Sequence, residues 1–114
     1  MSDEKKQTKI DAAKAFKLNR MVDYAEASTV SRIIAKNSAG NVTLFAFDEG
    51  QSLSEHSTPF DALVQVIDGE VELIIGGESV VAKTGEVVLM PANIPHAVNA
   101  AKRFKMLLTM LKGS

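Results

Sequence analysis

Apolar and polar residues follow one another in short runs from about Thr29 onward, and each run is closed by turn-forming residues. Thr29 to Ala35 is rich in β-branched residues and ends at Asn37-Ser38-Ala39-Gly40-Asn41, a dense turn signal. Val42 to Phe47 follows, then the turn-prone Asp48-Glu49-Gly50. Ala62 to Ile67 is expected to end in a hairpin at Asp68-Gly69, the dipeptide that best suits a two-residue β-turn. After it, Val71, Leu73 and Ile75 alternate with Glu70 and Glu72 as on a half-exposed strand, and Gly76-Gly77 reverses the chain. Ser79 to Ala82 and Glu86 to Met90 make two further strands around Thr84-Gly85. The last run sets Phe104, Met106, Leu108 and Met110 on one face, read as core, and Arg103, Lys105 and Thr109 on the other.

About eight to ten short strands with closely spaced turns predict an all-β barrel or sandwich. Pro59, Pro91 and Pro95 fall at strand ends or loops, where a missing donor does least harm. No long helical pattern lies between the strands, which excludes a βαβ fold. The first residues differ in texture. Asp3 to Lys9 is mostly polar, while Ile10, Ala13 and Phe16 recur at near-helical spacing behind a Thr8/Asp11 capping pattern. The expected organisation is an N-terminal arm or short helix over residues 1–20 and a β-barrel domain over residues 21–114.

Composition narrows the function classes. Of 114 residues, 46% are hydrophobic, which suits one globular core. Thirteen basic residues against fourteen acidic ones leave a net charge of -1, with no excess positive charge to attract nucleic acid. The absence of cysteine excludes disulfides, thiolate metal sites and a cysteine nucleophile. Met1 to Lys6 is charged where a signal peptide would be apolar, and no apolar run approaches the ~18 residues of a membrane span. The expectation is a cytoplasmic protein without membrane or nucleic-acid partners.

Chemistry centres on the two histidines, which occur in similar frames. Gly50 precedes His56 by six residues, and Gly69 follows thirteen after it. Gly85 precedes Pro91 by six residues, with Pro95-His96 just beyond. On these residues the chain, from roughly Met21 to Leu111, resembles a small single-domain member of the cupin superfamily. Its first motif, G-x5-H-x-H-x3,4-E-x6-G, is met by Gly50, His56 and Gly69. Its second, G-x5-P-x-G-x2-H-x3-N, is met by Gly85, Pro91 and His96. The resemblance implies a double-stranded β-helix (jelly-roll) fold. It also implies a site that in many members holds Fe, Mn, Ni or Zn with three histidines and a glutamate.

The departures fall on that site. Thr58 stands at the second histidine and Ala62 at the glutamate, while Asn93 replaces a glycine and Ala100 the asparagine. His56 and His96 remain as the candidate metal ligands. Regular strand geometry points Glu55 and Asp61 away from the histidine face unless a bulge intervenes, and Gln51 has no geometric warrant. Two readings stand side by side. One is a barrel that binds a small molecule without chemistry, its polar anchors His56, Thr58, Gln65 and His96, its wall including Phe45, Phe47, Val64, Met90 and Met106. The other is a metal-dependent enzyme of dioxygenase or isomerase type with an incomplete histidine site. A third is a barrel that serves only assembly. Small barrels cover edges and apolar faces by pairing, so a homodimer is expected. Both leading readings require His56 and His96 to converge in one cavity.

Overall fold

The computed structural model describes residues 10–112. They form a short 3-10 helix, η1 (Leu18–Arg20), and eight strands: β1 (Thr29–Asn37), β2 (Gly40–Phe47), β3 (Ser52–His56), β4 (Asp61–Ile75), β5 (Glu78–Lys83), β6 (Val87–Met90), β7 (His96–Asn99) and β8 (Phe104–Leu111). All pairings are antiparallel. One sheet runs β1-β2-β8-β4-β6 and the other β3-β7-β4-β5, so the long β4 belongs to both. The architecture is the all-β double-stranded β-helix expected from the sequence. Among the described residues no helix is long and apolar enough to cross a membrane.

β4 overturns one expectation. Asp68-Gly69 is no hairpin; the strand passes through it, pairing with β8 as far as Gly69 and with β5 from Glu70. A register shift between Val66 and Asp68 bends the strand at this point. Gly69 takes φ 81, and a Cβ there would collide with the Arg103 carbonyl oxygen. Its freedom is spent on the bend and on the close approach of β8. The expected reversals at Gly76-Gly77 and Thr84-Gly85 do occur, between β4 and β5 and between β5 and β6.

Alternation along the strands builds the core between the sheets. Phe47, Val64, Val66, Val71, Leu73, Val98, Phe104 and Met106 are all but fully buried there. The Phe47 and Phe104 rings stack at 4.8 Å. A second, smaller cluster lies on the outer face of the β1-β2-β8-β4 sheet. Here Leu44 and Ala46 of β2 are covered by Leu18, Met21, Val22 and Tyr24 of the N-terminal segment. Tyr24 donates its hydroxyl proton to Asp68 at 2.5 Å. Lys105, on the face opposite the Phe104–Met110 stripe as the alternation predicts, is buried under this segment, its Nζ donating to the Asn19 carbonyl at 2.7 Å and sitting 5.0 Å from the Tyr24 ring. Its aliphatic stem covers apolar surface while the ammonium finds oxygen and π density.

The expected helix at Ile10–Phe16 is absent. That stretch is irregular, with Ala13 at φ 60, and the Ile10 N–H bonds the Ile34 carbonyl of the edge strand β1 at 2.9 Å. Two turns of amphipathic spacing are too few to offset helix nucleation, whereas an edge strand offers a ready acceptor. Thr8 of the capping pattern and the polar arm Asp3 to Lys9 lie outside the described residues.

Candidate functional site

Register places the inward-facing side chains in rows. From the bend of β4, Val66 and Val71 lie at the sealed end, and the strand's two halves run outward to Ala62 in one sheet and Ile75 in the other. At the Ala62 end the row reads Asn41, Met110, Ala62, Met90 across β2, β8, β4 and β6. At the Ile75 end it reads Glu78, Ile75, His96, His56 across β5, β4, β7 and β3. The histidines therefore sit at the open end of the sandwich, opposite its methionines.

His56 reaches that row through a bulge. Leu53 pairs with Val98 and His56 with His96, so three residues of β3 span what two residues of β7 span. The extra residue reverses the parity and brings His56 to the inner face that Leu53 shares with Val98. Without it His56 would point outward. The ring centroids lie 4.5 Å apart in an edge-on arrangement with 67° between planes.

Each imidazole is oriented by its own chain. Nδ1 of His56 lies 2.9 Å from the Ser54 carbonyl oxygen, and Nδ1 of His96 lies 3.3 Å from that of Ile94. A carbonyl can only accept, so Nδ1 carries a proton in both rings, and in the neutral form of either ring Nε2 is the atom with the lone pair. His96 is 4% exposed, and burial lowers its pKa below the usual 6.5, with the neighbouring His56 charge acting in the same direction against the Ile94 bond. His96 is therefore neutral at pH 7. His56 is exposed. Among the described residues no protein group bonds either Nε2, yet no buried side-chain nitrogen or oxygen lacks a partner. The His96 Nε2 thus opens onto accessible space.

Two loops span this end of the sandwich and are tied together. The Asn93 N–H bonds the Thr58 carbonyl at 2.7 Å, and the Ala92 N–H bonds Asp61 Oδ1 at 2.9 Å. Asp61, considered from the sequence only as a ligand, is the pin of the second loop. The chemical signal for that role is a carboxylate at a strand start facing a Pro-rich loop.

Other expected site residues do not join the histidines. Thr58 follows the end of β3, and its hydroxyl is occupied with the Phe60 backbone, donating to the carbonyl at 3.1 Å and accepting from the N–H at 3.4 Å. Gln65 is exposed on the outer face, because Val64 and Val66 on either side of it point inward. There it borders an open groove of about 380 Å³ with Ile67, Thr84 and Val87. Phe47 and Met106 are sealed in the core at 0% and 1% exposure, several rows below the histidines. Met90 is buried too, but in the outermost row. Pattern reading misses Ile75, His96's partner in register, because it breaks β4 at Asp68-Gly69.

The residues present do not fit a four-ligand or three-ligand transition-metal centre. Such a site needs three or four protein donors. Among the described residues no third histidine, cysteine, aspartate or glutamate gathers with the pair. The positions that would supply the others hold Thr58 and Ala62.

Comparison with known proteins agrees with this architecture. The cupin domain family matches residues 43–110. A conserved protein of unknown function from Streptococcus pyogenes is 34% identical, with 94% of each chain covered and a TM-score of 0.88. A cupin 2 conserved barrel domain protein from Leptotrichia buccalis is 42% identical over 85% of this chain and 47% of its own, with a TM-score of 0.83. A mutant of salicylate 1,2-dioxygenase from Pseudoaminobacter salicylatoxidans shares the fold alone, at 12% identity and a TM-score of 0.67 over 72% of this chain and 26% of its own. Among curated proteins there is no match. With the histidines of both motifs in one row at the open end of a double-stranded β-helix, and the family matching over half its length, the chain belongs to the cupins.

Proposed function

We propose that this cupin is a binding barrel that holds a small molecule at the open end of its sandwich, with His56 and His96 as the polar anchor. The observation that carries this is the cross-strand approach of the two rings, 4.5 Å apart, with both Nε2 atoms free of protein partners among the described residues. The half-buried Met110 and Ile75, and the buried Met90, give the surround its apolar character. Because the chain has only two histidines, their ring signals in a proton–carbon NMR spectrum report the site directly. A set of chemically mixed fragments at millimolar concentration is expected to move both signals. The proposal is overturned if no fragment moves either.

The alternative, a metal-dependent enzyme of dioxygenase or isomerase type, rests on the same two imidazoles with water or substrate completing the shell. The donor set weighs against it. Stoichiometric Fe, Mn, Ni or Zn in protein purified without a nickel column, lost in both His56→Ala and His96→Ala, would favour it instead. The protein is further proposed to act in the cytoplasm as a homodimer. Support for the dimer comes from Val87 and Leu89, which are 56% and 53% exposed on the outer face of the edge strand β6. Light scattering at micromolar concentration is expected to give twice the chain mass, and a monomer mass would refute pairing.

A further inference from the structure

The two sheets turn unlike outer faces to their surroundings. Alternation puts Glu70, Glu72, Lys83 and Asn99 on the outside of the β3-β7-β4-β5 sheet, with Val81 set between Ser79 and Lys83 and opposite Glu72. Glu72 accepts from the Ser79 hydroxyl at 2.7 Å and the Asn99 amide at 3.3 Å. This is a solvated face, and one exposed valine on it is unremarkable.

The outside of the β1-β2-β8-β4-β6 sheet has two halves. The N-terminal segment covers the half nearest the bend, over Leu44 and Ala46. Among the described residues nothing covers the other. One row crosses it in register, Val42, Thr109, Leu63 and Leu89 on β2, β8, β4 and β6. Val87 and Leu111 flank that row, 56% and 51% exposed, and Leu89 is 53% exposed. These six residues carry no charge. At their border Asp61, beside Leu111, has one carboxylate oxygen bonded to the Ala92 N–H.

The same half is shaped by two hollows. A shallow one of about 190 Å³ is bordered by Ala35, Val42, Thr109 and Leu111. The groove of about 380 Å³ beside Gln65 and Val87 is the other. Leu63, next to Thr109 across the strands and to Gln65 along its own, separates them.

A highly charged partner finds nothing to pair with on such a surface. A second copy fits it. Two uncharged faces meet without like-charge repulsion, and a ridge beside a hollow is a form that a two-fold axis can match to itself. Five strands by two rows span about 24 by 14 Å, or roughly 340 Å² in projection. That is the scale of the apolar core within a standard interface of about 800 Å² per partner, to which a polar rim adds the rest.

Resting on the homodimer proposed above, we infer that the second copy docks face to face on this half of the sheet, with the Val42–Leu89 row at the centre of the contact. Each chain's apolar outer surface is then covered in two parts, one by its own N-terminal segment and one by the partner. The histidines belong to the other sheet and stay clear of the contact.

Three single substitutions at outward positions test this by light scattering at micromolar concentration. Leu89→Lys and Thr109→Lys each set like charges against one another across the contact. Each is expected to weaken pairing roughly a hundredfold and bring the mass down to that of one chain. Val81→Lys, at an equally exposed apolar residue of the other sheet (54% against 53%), is expected to remain a dimer. The two histidine ring signals, unchanged in all three variants, report that the fold is kept. Every other pattern overturns the interface. A dimer that survives both Leu89→Lys and Thr109→Lys pairs elsewhere, and the homodimer stands without this face. Loss in Leu89→Lys alone would assign pairing to the free edge of β6 instead. A monomeric wild-type chain would overturn the homodimer itself, while the histidine site keeps its own test in the fragment titration.

Discussion

The two ends of this sandwich are built from the same alternating strands and have opposite characters. At the bend of β4 the inner face is closed by the stacked Phe47 and Phe104, with Val66 and Val71 beside them, all at or below 2% exposure. At the far end the inner face carries two imidazoles, a bulge and two loops pinned by single hydrogen bonds. The first end spends its residues on excluding water. The second leaves hydrogen-bonding capacity unused. Stability and binding are therefore divided along the length of β4, and substitutions should separate them.

The largest effect is expected at the sealed end. Phe104→Ala removes a fully buried ring and its stacking partner's contact, and should cost about 3–5 kcal/mol in chemical denaturation. A loss below about 1 kcal/mol would show that this end is not the structural one. Next comes the bend. Gly69→Ala drives a methyl group toward the Arg103 carbonyl at a positive φ, and about 2–3 kcal/mol of destabilisation is expected from the same measurement. An unchanged midpoint would mean that β8 moves aside without penalty.

The open end should respond to pH rather than to truncation of packing. The folded-state pKa of His96 is depressed by burial, so the unfolded chain binds its proton first as the solution is acidified. Its contribution is complete above the unfolded value near 6.5 and is lost progressively as pH falls through the folded one. Melting temperatures should decline below pH 6.5 and do so less steeply in His96→Gln. Parallel curves would remove the titration from this residue. The smallest effect belongs to the exposed His56, where His56→Ala should change stability by no more than about 0.5 kcal/mol while abolishing ligand-induced shifts of the His96 ring. A larger loss would make His56 a structural residue and blur the division between the ends.

Much of this is legible in the residue pattern. Period-two alternation locates most of the strands, and the Phe104–Met110 stripe is core because its inner positions repeat every second residue. The site is legible as a pair of matching frames around His56 and His96. What stays hidden depends on tertiary contacts. Asp68-Gly69 carries a turn composition, yet Asp68 accepts from Tyr24 forty-four residues away and Gly69 lets β8 approach, so the dipeptide bends a strand without ending it. The β3 bulge leaves no mark in Ser54-Glu55, and the face of His56 cannot be found by counting. Gln65 is a different matter. Parity from Val64 alone puts it outside, and its polarity is no argument for a place in the pocket. Thr58 shares the face of His56 only if β3 continues, and the strand stops at His56.

That a single strand serves both sheets has a mechanical consequence. Asp68 and Gly69 act as the pivot of a pair of tongs whose jaws are Ala62 and Ile75, seven and six residues from Gly69 along β4, or about 20 Å. Because the arms are continuous polypeptide, a rotation of about 5° at the pivot would displace a tip by about 2 Å. A change of backbone angle at Gly69 would therefore be felt at Ile75, the register partner of His96, at the opposite pole of the molecule.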